Sequence, residues 1–92
     1  MGRREERIFR INDEIAALAR DEHNAYEELV VLGHLDDDAR RDAAVSGSPI
    51  DAADARATTG DVARMERHVA ELRAAREVLE AKRERMMRRL GS

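Results

Sequence analysis

From Ile8 the chain places Ile8, Ile11, Ile15, Leu18, Glu22, Ala25, Leu29 and Leu32 at alternating steps of three and four residues. That spacing keeps one edge of an α-helix facing a partner and is the pattern of a coiled-coil seam. It predicts a first helix over about residues 4–32, stopped at Gly33. The pattern returns at Val62, Met65, Val69, Leu72, Arg76, Leu79, Arg83, Met86 and Leu90, with Gly91 behind it. A second long helix over about 61–90 follows from it.

The stretch 33–60 breaks the rhythm with acids, small residues and turn formers, and reads as a tip carrying short helices. Asp36 or Asp37 is placed to cap a short helix through Val45. After the turn "SGSP", Ser48 is an N-cap, Pro49 takes the first helical position and Asp51 the third. Both dihedral preference and helix dipole favour that order. "TTG" at 58–60 predicts a second interruption, with Thr59 or Asp61 capping the last helix.

Folded back on each other, the two long helices match Ile8 with Leu90, Ile11 with Met86, Leu18 with Leu79, Leu29 with Val69 and Leu32 with Met65. Their residue numbers keep a nearly constant sum, as an antiparallel hairpin requires. The same register sets Glu22 opposite Arg76, so the acid that interrupts one stripe meets the guanidinium that interrupts the other. A slipped register would set charge against aliphatic side chains. Phe9, Ala16, Ala19, Tyr26 and Val30 form a further stripe one position round the first helix. One hairpin cannot cover both stripes, so this one is the expected partner or dimer surface. The expected fold is all-α: an antiparallel coiled-coil hairpin, a single domain over 1–92, with short helices at the tip, pairing as a homodimer into a four-helix bundle.

Composition sharpens this picture. Charged residues make up 40% of the 92 and aromatic residues 2%, the bias of long surface helices. With no cysteine there is neither a disulfide framework nor a thiolate metal site. No apolar run approaches the roughly 18 residues of a membrane span, and the charged start "MGRREER" leads into no signal-peptide core, so the expected location is the cytoplasm. The net charge of −3 hides a separation along the chain: basic ends flank an acidic middle.

Little in the sequence supports catalysis. There is no phosphate loop, nucleophile motif or converging acid–base pair. A carboxylate-bridged metal pair in a bundle wants Glu-x-x-His, and neither "EH" at 22–23 nor "ERH" at 66–68 has that spacing. No metal is expected. Arg3, Arg4, Arg7, Arg85, Arg88 and Arg89 should gather where the hairpin ends meet, a patch suited to phosphates or an acidic protein surface. The shortage of aromatic stacking residues argues against nucleic acid as the partner.

The stretch "ERHVAELRAAREVLEAKRERMMRRL", residues 66–90, resembles a helix of the actinobacterial anti-sigma factors that hold a sporulation sigma factor in response to cyclic di-GMP. That family's frame of Glu, Ser, Arg, Gln and Asp falls here on Glu66, Ala70, Arg73, Glu77 and Ala81, matching at Glu66 and Arg73. In the first helix "AYEELVVLGHLD" is similar to the family's corresponding stretch, with Asp36 identical in the frame and Tyr26, Gly33 and Leu35 adding looser likeness. The resemblance implies a non-enzymatic regulator that sequesters a sigma factor, with cyclic di-GMP as corepressor held by Glu66, Arg73, Glu77 and Arg76. Guanine offers donors to a carboxylate and acceptors to an arginine fork. Ala70 and Ala81 remove two polar partners, and Glu77 adds negative charge beside a dianion. The same flank also reads as a solvated face of i,i+3 and i,i+4 ion pairs. "RINDEIAALARDEH" and "GHLDDD" resemble, in addition, a family of short actinobacterial proteins of undefined activity. Two other readings stand beside the regulator: a homo-oligomeric structural bundle without a small ligand, and a coiled-coil factor that enters RNA polymerase through an acidic tip at Asp36, Asp37 and Asp38.

Overall fold

Gly47 and Pro49 decide where the chain turns. In the computed structural model, which describes residues 2–91, α1 runs Arg3–Ser46 and α2 runs Pro49–Leu90, 44 and 42 residues long. The two form an all-α helical hairpin. Gly47 has φ of 64°, and its N–H donates to the Ala43 carbonyl at 3.0 Å, the left-handed cap that closes a helix C-terminus. Ser48 follows at once as N-cap, its Oγ accepting from the Ile50 N–H at 3.2 Å. Pro49 needs no N–H at the first helical position, and Asp51 in the first turn accepts from the Ser46 hydroxyl at 2.5 Å, which ties the two helix ends together.

The expected tip of short helices over 33–60 is absent. Both long helices continue through it, leaving a connection of two residues. The cause is visible in the burial pattern: beyond Leu32 the 3,4 spacing carries on through Asp36, Ala39 and Ala43, all buried or half-buried, and α2 begins the same seam at Asp51, Ala55 and Thr58. The polar side chains of Asp36 and Thr58 disguise two seam positions as breaks. Gly33 therefore lies inside α1 without stopping it, and "TTG" lies inside α2.

A Cβ added at Gly33 meets nothing within 4 Å. Gly33→Ala should raise the unfolding free energy by about 0.5–1 kcal/mol, because alanine loses less conformational freedom in a helix. Gly47→Ala, at a positive φ, should lower it by about 1 kcal/mol. Urea titration of the two variants checks both signs, and a destabilising Gly33→Ala would mean that α1 is broken there.

The hairpin divides into two compact units. The terminal unit joins the stretch up to His23 with the stretch from Ala70, and the turn unit is Asn24–Val69. In the terminal unit Ile8 and Ile11 are buried; in the turn unit Ala25, Ala55 and Val69 are. The core is thin, as expected of two helices with one shared seam. In both units α1 leaves large apolar side chains in solvent, Phe9 in the terminal unit and Tyr26, Val30, Val31 and Leu35 in the turn unit. No helix among the described residues is long and apolar enough to cross a membrane.

Candidate functional site

Helix periodicity that brings Glu22 to the seam of α1 also brings Arg76 to the seam of α2, and the two meet as the register requires. The Arg76 Nε donates to Glu22 Oε2 at 2.8 Å, and Arg73 Nε donates to the other carboxylate oxygen at 2.9 Å. Arg76 also pairs with Glu80 one turn on in α2. Hydrogen bonds from Arg76 and then Arg73 hold the Glu22 carboxyl below the usual carboxylate range, against the opposing effect of burial. Arg76 is raised in turn, first by its bond to Glu22. Further along the terminal unit the Arg83 guanidinium, also on the seam, donates to Asn12 Oδ1 at 2.9 Å.

The turn unit holds a second polar seam contact that sequence reasoning missed. Asp36 is 5% exposed and accepts at one carboxylate oxygen from the hydroxyls of Thr59 at 2.7 Å and Thr58 at 2.8 Å. Arg40 approaches the other oxygen at 3.3 Å. The Thr59 bond is the main reason that the Asp36 carboxyl stays ionised to lower pH than usual, with burial acting the other way and Thr58 and Arg40 assisting. The Thr58 hydroxyl lies 3.0 Å from the Ala55 carbonyl of its own helix as well. The signal that could have exposed this contact was the unbroken 3,4 spacing, which put an acid and a threonine at seam positions in neighbouring layers of the hairpin.

This placement overturns the acidic tip. Asp36 faces the seam rather than solvent, Asp37 and Asp38 pair with Arg40 and Arg41 at 3.1 and 2.6 Å, and all three acids sit within α1, well short of the turn at Gly47 and Ser48.

Of the residues in the nucleotide frame, Glu66 is exposed in the turn unit, whereas Arg73, Arg76 and Glu77 belong to the terminal unit. Glu77, Ala70 and Ala81 are exposed. Arg73 and Arg76 are already bonded to Glu22, so an incoming anion must compete with that carboxylate. On the expected partner stripe, Phe9, Ala16 and Ala19 of the terminal unit and Tyr26 and Val30 of the turn unit are all exposed. The expected basic cluster forms in part: Arg4, Arg7, Arg85 and Arg89 line one groove, joined by Arg10 and Lys82, while Arg88 turns to Glu84 at 3.2 Å. Among the described residues no three His, Cys, Asp or Glu side chains converge as a metal site would need.

No protein-family profile, curated protein or solved structure significantly matches the chain.

Proposed function

We propose that this chain is a non-enzymatic regulatory binding protein that takes a protein partner on the exposed apolar flank of α1, in the manner of the anti-sigma factors its sequence resembles. The observation that carries the reading is the pair Tyr26 and Val30, left 54% and 43% exposed beside a seam whose own polar positions are satisfied within the hairpin. Large apolar side chains kept in water on one helix flank mark a surface that another helix covers. A sigma factor is the partner the resemblance names. A second copy of the chain, closing a four-helix bundle, is the competing occupant.

Cyclic di-GMP has a narrower opening in this reading. It would reach Arg73 and Arg76 by displacing Glu22, and that exchange needs the second charge of a phosphate diester pair to compensate.

Sizing chromatography with light scattering separates the occupants. With a candidate sigma factor added, a one-to-one complex is expected that Tyr26→Lys with Val30→Lys removes. A concentration-dependent dimer removed by the same change favours the second copy. A monomer indifferent to both eliminates the partner surface. Calorimetric titration of cyclic di-GMP into the chain, alone and with the sigma factor, decides the corepressor: absence of heat in both mixtures rejects it.

A further inference from the structure

Two groups of cations are partnered differently. Arg40, Arg41, Arg64, Arg73 and Arg76 each meet a carboxylate. Arg4, Arg7 and Arg10 of α1 and Lys82, Arg85 and Arg89 of α2 instead line a groove of about 490 Å³, and among the described residues none of the six side chains has an ion pair or hydrogen bond. Glu14 is the one carboxylate in the lining, and Ile11 and Met86 supply its apolar surface. Six cations around one acid repel one another, and that repulsion is relieved by an anion that brings several charges into a small space.

We propose that this groove binds a linear oligophosphate, free or as the phosphate tail of a nucleotide. Three features select that chemistry. Five of the six cations are arginines, whose planar forks match phosphate oxygens two at a time, where a lysine-rich patch would offer point charges. They stand in two rows on facing helices, each step of three or four residues advancing about 4.5–6 Å, so consecutive phosphates lie between walls that both donate. The volume falls in the small-ligand range of roughly 300–1,000 Å³. No aromatic side chain lines the groove, so nothing there stacks a base. The groove is defined by its own lining and stands whether or not a sigma factor binds the apolar flank of α1.

Calorimetry on the full chain tests it, with tripolyphosphate, adenosine triphosphate, citrate and a short DNA duplex as probes. The expected result is one tripolyphosphate per chain, with citrate, a carboxylate anion of similar charge, at least about tenfold weaker, and affinity that falls as salt is added. Adenosine triphosphate binding equally marks a free oligophosphate, and several-fold tighter binding marks a nucleotide tail. Arg7→Glu with Arg85→Glu should weaken tripolyphosphate by at least about tenfold, and Arg7→Lys with Arg85→Lys by a few-fold, since charge remains and the fork is lost. Arg56→Glu, exposed in the turn unit, should change nothing. The Arg→Glu variant relieves like-charge repulsion and the Arg→Lys variant leaves it unchanged, and an unchanged helical circular dichroism spectrum verifies the fold of both. Equal binding of citrate, tighter binding of the duplex, undiminished binding by Arg7→Glu with Arg85→Glu, or no heat with tripolyphosphate would each overturn the proposal.

Discussion

Ile11→Ala is expected to lower the unfolding free energy by about 2–4 kcal/mol, while Phe9→Ala, a larger truncation two residues away, should change it by no more than about 0.5 kcal/mol. The difference comes from helix phase alone. Ile11 is 6% exposed on the seam, whereas Phe9 is 52% exposed on the flank. Removing the isoleucine side chain loses its transfer free energy and leaves a void that two helices with no third layer behind them close only in part. Native domains are stable by only about 5–15 kcal/mol, and a core of so few buried side chains puts this hairpin toward the lower part of that range. Urea denaturation of both variants gives the comparison directly. A loss at Phe9 as large as at Ile11 would show that the flank is covered in solution, which is the behaviour of a dimer, and the same titration repeated over a range of protein concentrations identifies it.

The seam is legible in the sequence wherever its residues are apolar. Ile8, Ile11, Val69 and Ala25 can be read from spacing, and the capping roles of Ser48, Pro49 and Asp51 from residue chemistry, since each rests on a local rule. The pairing of Glu22 with Arg76 is readable too, because the register comes from many aliphatic matches at once. What misleads is Asp36. An acid after a glycine carries the signature of a turn, and taking Gly33 as a stop makes a tip of 33–60. Tertiary contact outweighs that local preference: two threonine hydroxyls on α2 donate to one carboxylate oxygen and Arg40 pairs with the other, so the acid is held on the seam with both oxygens partnered. Arg10 and Lys82 stay out of sight for a different reason. Charge totals at the chain ends do not show that two rows of cations face each other across a groove.

Acid should weaken the hairpin through these two carboxylates. Glu22 and Asp36 both titrate lower in the folded chain than in the unfolded one. The unfolded chain therefore binds protons first as pH falls. Their contribution is complete above the unfolded carboxylate pKa of about 4 and is lost as pH drops through the lower folded values. Thermal melts followed by circular dichroism should show a midpoint that falls on acidification below about pH 4. In Glu22→Gln with Asp36→Asn the midpoint should be lower at neutral pH and should fall less on acidification. A parallel displacement of the two curves, with the same acid slope, would mean that other carboxylates set the acid limit.

Exchanging both charges of the central pair for leucine should raise the melting midpoint even though each single exchange lowers it. Arg76→Leu leaves Glu22 with only the more exposed Arg73, and Glu22→Leu leaves Arg76 with Glu80 while Arg73 loses its partner, so each single change strands charge on a half-buried seam. Glu22→Leu with Arg76→Leu removes both desolvated charges and fills the seam with aliphatic carbon, an exchange that is neutral or stabilising in comparable pairs. Non-additivity of the two singles in a double-mutant cycle is the measurable sign of direct coupling. The gain should come with a loss of register. With the pair present, a slip of one heptad sets Glu22 against Val69 in one direction and against Arg83 in the other, and in either case Arg76 loses the carboxylate it faces. With two leucines in place, neighbouring heptads look alike. The chain has no cysteine, so introduced thiols report the alignment without interference. Leu18→Cys with Leu79→Cys should oxidise to a disulfide in the parent chain, and Leu18→Cys with Leu72→Cys should not. In the leucine-paired background both combinations should crosslink. If only the first does, the hairpin turn at Gly47 and Ser48 holds the register by itself, and the Glu22–Arg76 pair has no part in specifying it.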